Sequence, residues 1–301
     1  MAKNSRNLPK KQVFCPNCKH KTDIEILDTG QFNLYLCNSC KNGFLYPIPK
    51  NLSKYYPKIY WQYPGQLSYI RSTLHNLLQI RRKNWVKKYI KSGKILDVGA
   101  GEGVFGKTLG PNFAVTNLES PFAKVANKNV VKADFLKWKT DKKFDGIVFL
   151  ESLEHVPSPQ DYLKKARSLL NKNGYILVEC PRFDSWESKL FKDKWLHLDI
   201  PRHLAHLTRE GLGILASRNN LKVINQSGVL IYEFSPYCFT VSLMRLLKIK
   251  PLNLKERSIS NLTSMTMALI LLPLGVVAET IFHLFDQDPV ELSVFQKSIV
   301  L

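Results

Sequence analysis

The stretch Ile95-Leu-Asp97-Val-Gly99-Ala-Gly101-Glu102-Gly103-Val-Phe-Gly106 decides the fold. A short apolar strand ends in an acid and runs into glycines at every second position. Glycine allows a tight turn and lets a ligand approach the backbone, because no Cβ stands in the way. A helix expected from about Glu102 would turn its unpaired N–H groups towards that ligand. Strand, glycine turn and helix in this order open a doubly wound α/β domain with a nucleotide at the turn. Gly101-x-Gly103-x-x-Gly106 also satisfies the dinucleotide fingerprint, a weak signal by itself.

Asp97 separates the candidate ligands. A carboxylate at the strand tip would repel a pyrophosphate. S-adenosylmethionine brings an amino group and a sulfonium, for which the same carboxylate is favourable. The string resembles motif I of class I S-adenosylmethionine-dependent methyltransferases, with Asp97, Gly99, Gly101 and Gly103 in the cofactor cradle. Glu119 follows Gly101 by 18 residues at the end of the second expected strand, where a carboxylate can accept from both ribose hydroxyls. The resemblance further implies that Asp134 contacts the adenine amino group and that Phe135 packs on the ring.

The next block reads Phe144-Asp-Gly-Ile-Val-Phe-Leu-Glu151-Ser-Leu-Glu154-His155-Val-Pro157. Together with residues 169–181 it is similar to the small-molecule branch that includes the ubiquinone-biosynthesis O-methyltransferases, of the type 11 or 23 kind. The likeness covers residues 94–230 and the last strand. Glu151 joins the expected cofactor residues. His155 is a candidate general base, since an ordinary imidazole titrates near ~6.5. The resemblance leaves a divalent ion at Glu151, Glu154 and His155 as the alternative. His197 and His203, in the run Trp195-x-His197-x-Asp199-x-Pro-Arg-His203-Leu-x-His206, are further candidates for a base or orienting group at the acceptor side.

Outward from this block, strands are expected at residues 94–98, 113–118, 130–132, 144–150, 174–179 and 221–226. Helices are expected at 102–109, from about 121, at 159–170 and at 208–219. Alternation in 290–298 predicts an antiparallel last strand. The predicted class is α/β, a Rossmann-like seven-stranded and mostly parallel sheet, with a small N-terminal ribbon.

That ribbon is read from Cys15-Pro-Asn-Cys18 and Cys37-Asn-Ser-Cys40. Two C-x-x-C knuckles 18 residues apart present four thiolates to one tetrahedral zinc ion, a closed structural site. The expected organisation is a zinc ribbon over 1–48 and a Pro/Tyr-rich linker and basic amphipathic helix over 49–93, whose apolar residues Leu67, Ile70, Leu74, Leu77 and Leu78, then Trp85, Tyr89 and Ile90, fall at helical spacing. The methyltransferase domain takes 94–301, with an apolar insertion at about 232–286.

Charge is lopsided. The chain carries a net charge of +20, and residues 1–94 hold 18 Lys and Arg against 3 Asp and Glu. The bias suits an anionic partner: a membrane surface, a phosphorylated acceptor or a nucleic acid. Residues 258–278 are uncharged, long enough to cross a bilayer. Pro273 interrupts them, and one crossing would strand the last sheet strand on the wrong side. An interfacial element or a lid therefore remains. Residues 1–11 are polar and basic without an apolar run, so a cytoplasmic protein, peripheral to a membrane, is expected.

Three functions compete. The first is methyl transfer to a small-molecule, sugar or lipid-linked acceptor, on oxygen or carbon. The second is an rRNA or tRNA methyltransferase that grips phosphates with ribbon and helix. After the fourth strand stands Leu150-Glu-Ser-Leu153, without the Asp/Asn-Pro-Pro-aromatic signature of exocyclic-amine enzymes. The third is a non-catalytic binding module, against which the intact glycines, Asp97 and Glu119 argue.

Overall fold

A computed structural model of the chain describes residues 12–56, 68–250 and 259–298, with side chains from residue 73 in the second segment and from 262 in the third. Part of the predicted linker, Leu67 and Ile70 of the predicted basic helix and Ser258 of the uncharged run lie outside the described residues or side chains.

The N-terminal strands are β1 (Val13–Phe14), β2 (Lys21–Thr22), β3 (Glu25–Asp28), β4 (Asn33–Leu36) and β5 (Gly43–Tyr46). Helix α1 (Ser68–Tyr89) precedes β6 (Gly93–Val98), α2 (Val104–Leu109), β7 (Phe113–Glu119), β8 (Val130–Lys132) and β9 (Phe144–Leu150). Then come α3 (Pro159–Leu169), β10 (Leu170–Pro181), α4 (Trp186–Phe191), β11 (Ala205–His206), α5 (Arg209–Arg218) and β12 (Leu221–Gly228). The chain ends with α6 (Ser235–Leu246), α7 (Ile259–Leu284) and β13 (Val290–Lys297).

Seven strands form the main sheet in the order β12-β13-β10-β9-β6-β7-β8. The β10-β9-β6-β7-β8 pairs are parallel, and β13 runs antiparallel to both β10 and β12. β6 and β9 sit at the centre, so Ile95, Leu96, Ile147, Val148 and Phe149 are fully buried, as a strand covered on both faces requires. The expected class of fold and the antiparallel last strand are both present.

The ribbon is welded to this domain. β11, which follows the histidine-rich segment, adds to β5 and completes a sheet in the order β11-β5-β4-β3. Asn42 accepts from the Thr208 N–H at 2.9 Å, and Thr208 caps α5 by accepting from the Gly211 N–H at 2.9 Å. Gly211 has no alternative, because a Cβ there would meet the Asn42 side chain at 2.1 Å. Cys15, Cys37, Cys40 and Phe44 share one continuous apolar core with Leu96, Ile147 and Leu212.

Three expectations are corrected. No helix follows Pro121 among residues 120–129. The Glu102 carboxylate accepts from the Ala126 and Asn127 N–H groups at 2.8 and 3.0 Å and pins this link in an irregular path. The helix after the glycines starts at Val104, behind Gly103 at φ 71°. Third, the apolar stripe predicted for α1 holds only towards its C-terminal end: Trp85, Tyr89 and Ile90 pack into the core, whereas Leu74 and Leu77 are exposed and Gln79 and Arg82 are buried.

Candidate active site

The carboxyl ends of β6, β7 and β9 open into a cavity of about 1060 Å³. In open α/β sheets ligands bind at this end, where the strand order reverses. Asp97, Gly99, Gly101, Glu119, Asp134, Phe135, Glu151 and His155 all line it. Gly99 (φ +82°) passes so close to Ser152 that a Cβ would lie 2.4 Å from it, while Gly101 (φ +53°) faces open space. Gly103 does not line the cavity; it packs against Asn117 of β7.

The cavity floor is crowded with carboxyl groups. Asp97 is 2% exposed, and burial, with Glu119 adding and Arg82 opposing, pushes its pKa up to about 7. Glu119 is raised by burial, although it accepts from the Gly101 N–H at 2.8 Å and the Ser120 N–H at 2.6 Å. Glu151 stands in left-handed backbone at φ 53°, and burial beside Glu179 lifts it to about 8. Glu154 is 2% exposed, neither of its oxygens meets a donor, and burial next to Glu151 raises it well above the carboxylate range. Unpaired buried acids of this kind are expensive unless a cationic ligand answers them.

The cation within the described cavity wall is Arg82 of α1, whose Nε donates to Glu179 at 2.8 Å and whose Nη2 bonds the same oxygen. The inward turn of Gln79 and Arg82 explains why α1 exposes its leucines: it roofs a polar cavity. Asp134 spends one oxygen on the Leu136 N–H at 3.0 Å. Phe135 is 2% exposed and meets Phe149 and Tyr162 at centroid distances of 6.0 and 5.3 Å, so it forms wall rather than a free stacking ring.

His155 lies in a short 3-10 turn (Leu153–His155) past β9. Its Nδ1 is 3.1 Å from the Arg202 carbonyl and 3.0 Å from the Tyr56 hydroxyl. A carbonyl only accepts, so Nδ1 carries the proton and Nε2 keeps its lone pair. Burial lowers this histidine to about 4. His203 repeats the arrangement: Nδ1 donates to the His197 carbonyl at 2.6 Å, and its ring sits 4.7 Å from that of His155. Donor atoms of Glu154, His155 and His203 all fall within 4.8 Å of one another; Glu151 does not join them. His197 and His203 lie behind the cavity rather than on its wall, and His197 is buried against Trp195 and Phe234.

Sequence reasoning missed Arg82, Glu179, Gln79 and Tyr56. Tyr56, 6% exposed, arrives from the turn after the ribbon and packs on Phe122 at 5.5 Å. Its Pro/Tyr-rich surroundings carry no motif, and Arg82 is one of many basic residues in its stretch.

At the ribbon, Sγ of Cys15 is 3.6 Å from that of Cys40, and Cys18 is 3.5 Å from Cys37. All four lie within 4.8 Å. A tetrahedron of thiolates about 2.3 Å from zinc has edges of roughly 3.8 Å, so the arrangement has the right size.

Residues 68–226 match a family model described as "Methyltransferase domain". Ubiquinone biosynthesis O-methyltransferases are among the curated relatives. That of Glaesserella parasuis is 28% identical over 139 residues, 40% of this chain and 58% of the relative. That of Pelagibacter ubique is 30% identical over 129 residues, 38% and 52%. An uncharacterized protein of Methanocaldococcus jannaschii is 26% identical over 113 residues, 36% and 55%. The chain thus spans about half the length of the curated relatives it matches. Among solved structures, the plantazolicin methyltransferase BpumL in complex with SAH is 17% identical, with a TM-score of 0.45 over 80% of this chain and 94% of that one. With its family match covering more than half the residues, its strand order and its glycine turn, this chain belongs to the class I S-adenosylmethionine-dependent methyltransferases.

Proposed function

We propose that the protein transfers a methyl group from S-adenosylmethionine to a small-molecule, sugar or lipid-linked acceptor at oxygen or carbon. The observation that carries this reading is the group of Asp97, Glu119 and Glu151 carboxyls on the cavity wall, with the buried Glu154 next to Glu151, while Arg82, the cation of that wall among the described residues, is already paired to Glu179. A donor with an ammonium and a sulfonium answers such a floor; a pyrophosphate does not. Asp97 would receive the amino group, and Glu119 would exchange the Gly101 N–H for the ribose hydroxyls. The Asp134 oxygen not bonded to Leu136 is available to the adenine amino group, with Phe135 as the wall beside it.

The sulfonium is a good leaving group, so the protein's main contribution is alignment of an in-line attack. The cavity slightly exceeds the roughly 300–1,000 Å³ of ordinary small-molecule pockets, leaving room for an acceptor beside the donor. The acceptor would lie towards Tyr56, Phe122 and His155. The Nε2 lone pair of His155, neutral because its pKa is held near 4, can take a proton from an acidic hydroxyl or carbon. A second reading for Glu154, His155 and His203 is a divalent-ion site, favoured by the Glu154 carboxyl without a donor, its Oε1 3.8 Å from His155 Nε2, and by the mutual closeness of the three ligand atoms; an ion there would supply Lewis acidity.

The four ribbon cysteines are proposed to hold structural zinc. The observation behind it is their mutual spacing and their place in the shared core. Calorimetry with S-adenosylmethionine, followed by a labelled-methyl assay on fractionated cell extract, tests the main reading. Binding with label appearing in a small polar or lipid fraction supports it; label in RNA replaces it with the nucleic-acid reading.

A further inference from the structure

Helix α7 has its polarity inside out. Its inward positions are Ser264, Gly275 and Glu279, at 3% exposure or otherwise buried. Its outward positions are Leu262, Leu269, Ile270, Leu274, Val277 and Leu284, each at least half exposed. The 23 residues Leu262–Leu284 have mean hydropathy 2.0 over their apolar window, of which 11% is buried. Monomeric soluble proteins rarely leave an apolar surface of this extent uncovered.

The helix is nonetheless fixed to the domain. Gly275 abuts α6 so closely that a Cβ would lie 2.6 Å from the Pro236 carbonyl oxygen. Phe282 packs on Trp186 at 5.8 Å and on Phe239 at 6.1 Å, and five residues after Phe285 the chain enters β13 of the central sheet. A helix tied along its C-terminal half to the cytosolic-type core cannot cross a bilayer, but it can lie on one.

Its surroundings say which surface it meets. α4 and the turn after it pack beside α6, with Phe191 on Phe239 at 5.0 Å and the Leu196 N–H donating to Ser242 at 2.9 Å. These neighbours bring the exposed Lys189 and Lys192, next to an exposed Asp193 that Lys194 neutralises at 2.6 Å, and the end of α6 is followed by the exposed Lys248 and Lys250. Among the described residues, α7 itself presents no acidic group outward, since Glu279 is 0% exposed. An apolar face rimmed by lysines matches the interface of an anionic membrane, acyl chains within and phosphates around. A second copy fits poorly, because a two-fold contact would set each lysine rim against its own image.

From this charge pattern we infer that the α6–α7 hairpin docks the protein in the plane of an anionic lipid surface, with α7 sunk into the headgroup boundary. Phe234, at the head of α6, also lines the cavity, so docking brings the cavity mouth to the lipid surface. The docking itself does not depend on the methyl-transfer reading: a chain that binds no S-adenosylmethionine would still dock.

The test is co-sedimentation of the full chain with vesicles of phosphatidylcholine alone or with about a third phosphatidylglycerol, alongside light scattering without lipid. Docking predicts at least about tenfold greater partition onto the anionic vesicles, weakening as salt rises. Leu269→Glu with Ile270→Glu abolishes it without changing Tm, and Lys248→Glu with Lys250→Glu lowers it about tenfold. Wild type that stays in the supernatant of anionic vesicles overturns the inference. A lipid-free dimer that Leu269→Glu splits, with no vesicle binding, replaces it by self-association.

Discussion

The cavity and the hairpin break the usual partition of residues in opposite directions. At the cavity, Asp97 and Glu119 are buried, Glu151 is half-buried, and the buried Glu154 beside it has no donor on either oxygen. At the hairpin, Leu269, Ile270 and Leu284 are each more than half exposed among the described residues. Neither arrangement is stable for its own sake: buried carboxyls want cations, and exposed leucines want cover. The difference lies in how the chain tolerates each. Burial raises the pKa of each of these acids, with Arg82 opposing it at Asp97 and Glu151, so they are energetically coupled to the fold. Those hairpin residues are each at least half exposed and are largely decoupled from it. Mutations in the two regions should therefore read out on different scales.

The largest effect is expected at Arg82. Arg82→Met leaves Glu179 buried and unpaired, at a cost of about 3–5 kcal/mol, seen as a lower midpoint in urea denaturation. Adding Glu179→Gln should recover much of that loss; no recovery would break the coupling argument. Asp97→Asn comes next, weakening S-adenosylmethionine binding on the order of 100-fold by calorimetry while leaving the apo fold as stable or more so.

A pH series sharpens the same point. Asp97 at about 7 and Glu151 at about 8 are raised by burial, with Glu119 facing the first and Glu179 the second, and Arg82 opposing both. A cationic ligand must displace their protons, so its affinity should climb between pH 6 and 8, by up to about tenfold per unit for each group, and then level off. Stability runs the other way. The unfolded chain releases these protons near pH 4, so the apo protein loses stability as pH rises from there towards 7–8. Affinity flat across that window would mean the two acids are not in the ligand's field.

Tyr56→Phe removes one hydroxyl from Nδ1 of His155 and should lower kcat/KM by only about two- to tenfold. The smallest effect belongs to the hairpin: Leu269→Glu should alter unfolding stability by less than about 0.5 kcal/mol. A loss of several kcal/mol there would show that α7 is part of the fold's core after all and erase the contrast.

The local features were legible in the sequence. Gly99 and Gly101 mark a turn by their own backbone needs, the Cys pairs by ligand spacing, and Asp97 and Glu119 by lying at the ends of apolar runs. What the sequence hides is pairing at long range. Arg82 and Glu179 are 97 residues apart, and nothing in a basic stretch distinguishes the arginine that turns inward. The same blindness made Leu74 and Leu77 look like a buried stripe, because periodicity does not reveal that the facing surface is polar. The helix expected after Pro121 failed to Glu102, whose carboxylate captures that link's backbone from 24 residues away. His197 and His203 were expected at the pocket rim, yet neither lines the cavity, because their segment packs against His155 and Phe234 instead.

The central claim is that a buried acid at the tip of β6 selects a cationic nucleotide. Isothermal titration of wild type and Asp97→Asn with S-adenosylmethionine, and with NADH as control, tests it directly. The account predicts one site for S-adenosylmethionine in wild type, a loss of about 100-fold in the variant and no heat from NADH. Tight NADH binding, or S-adenosylmethionine affinity unchanged by Asp97→Asn, would contradict it.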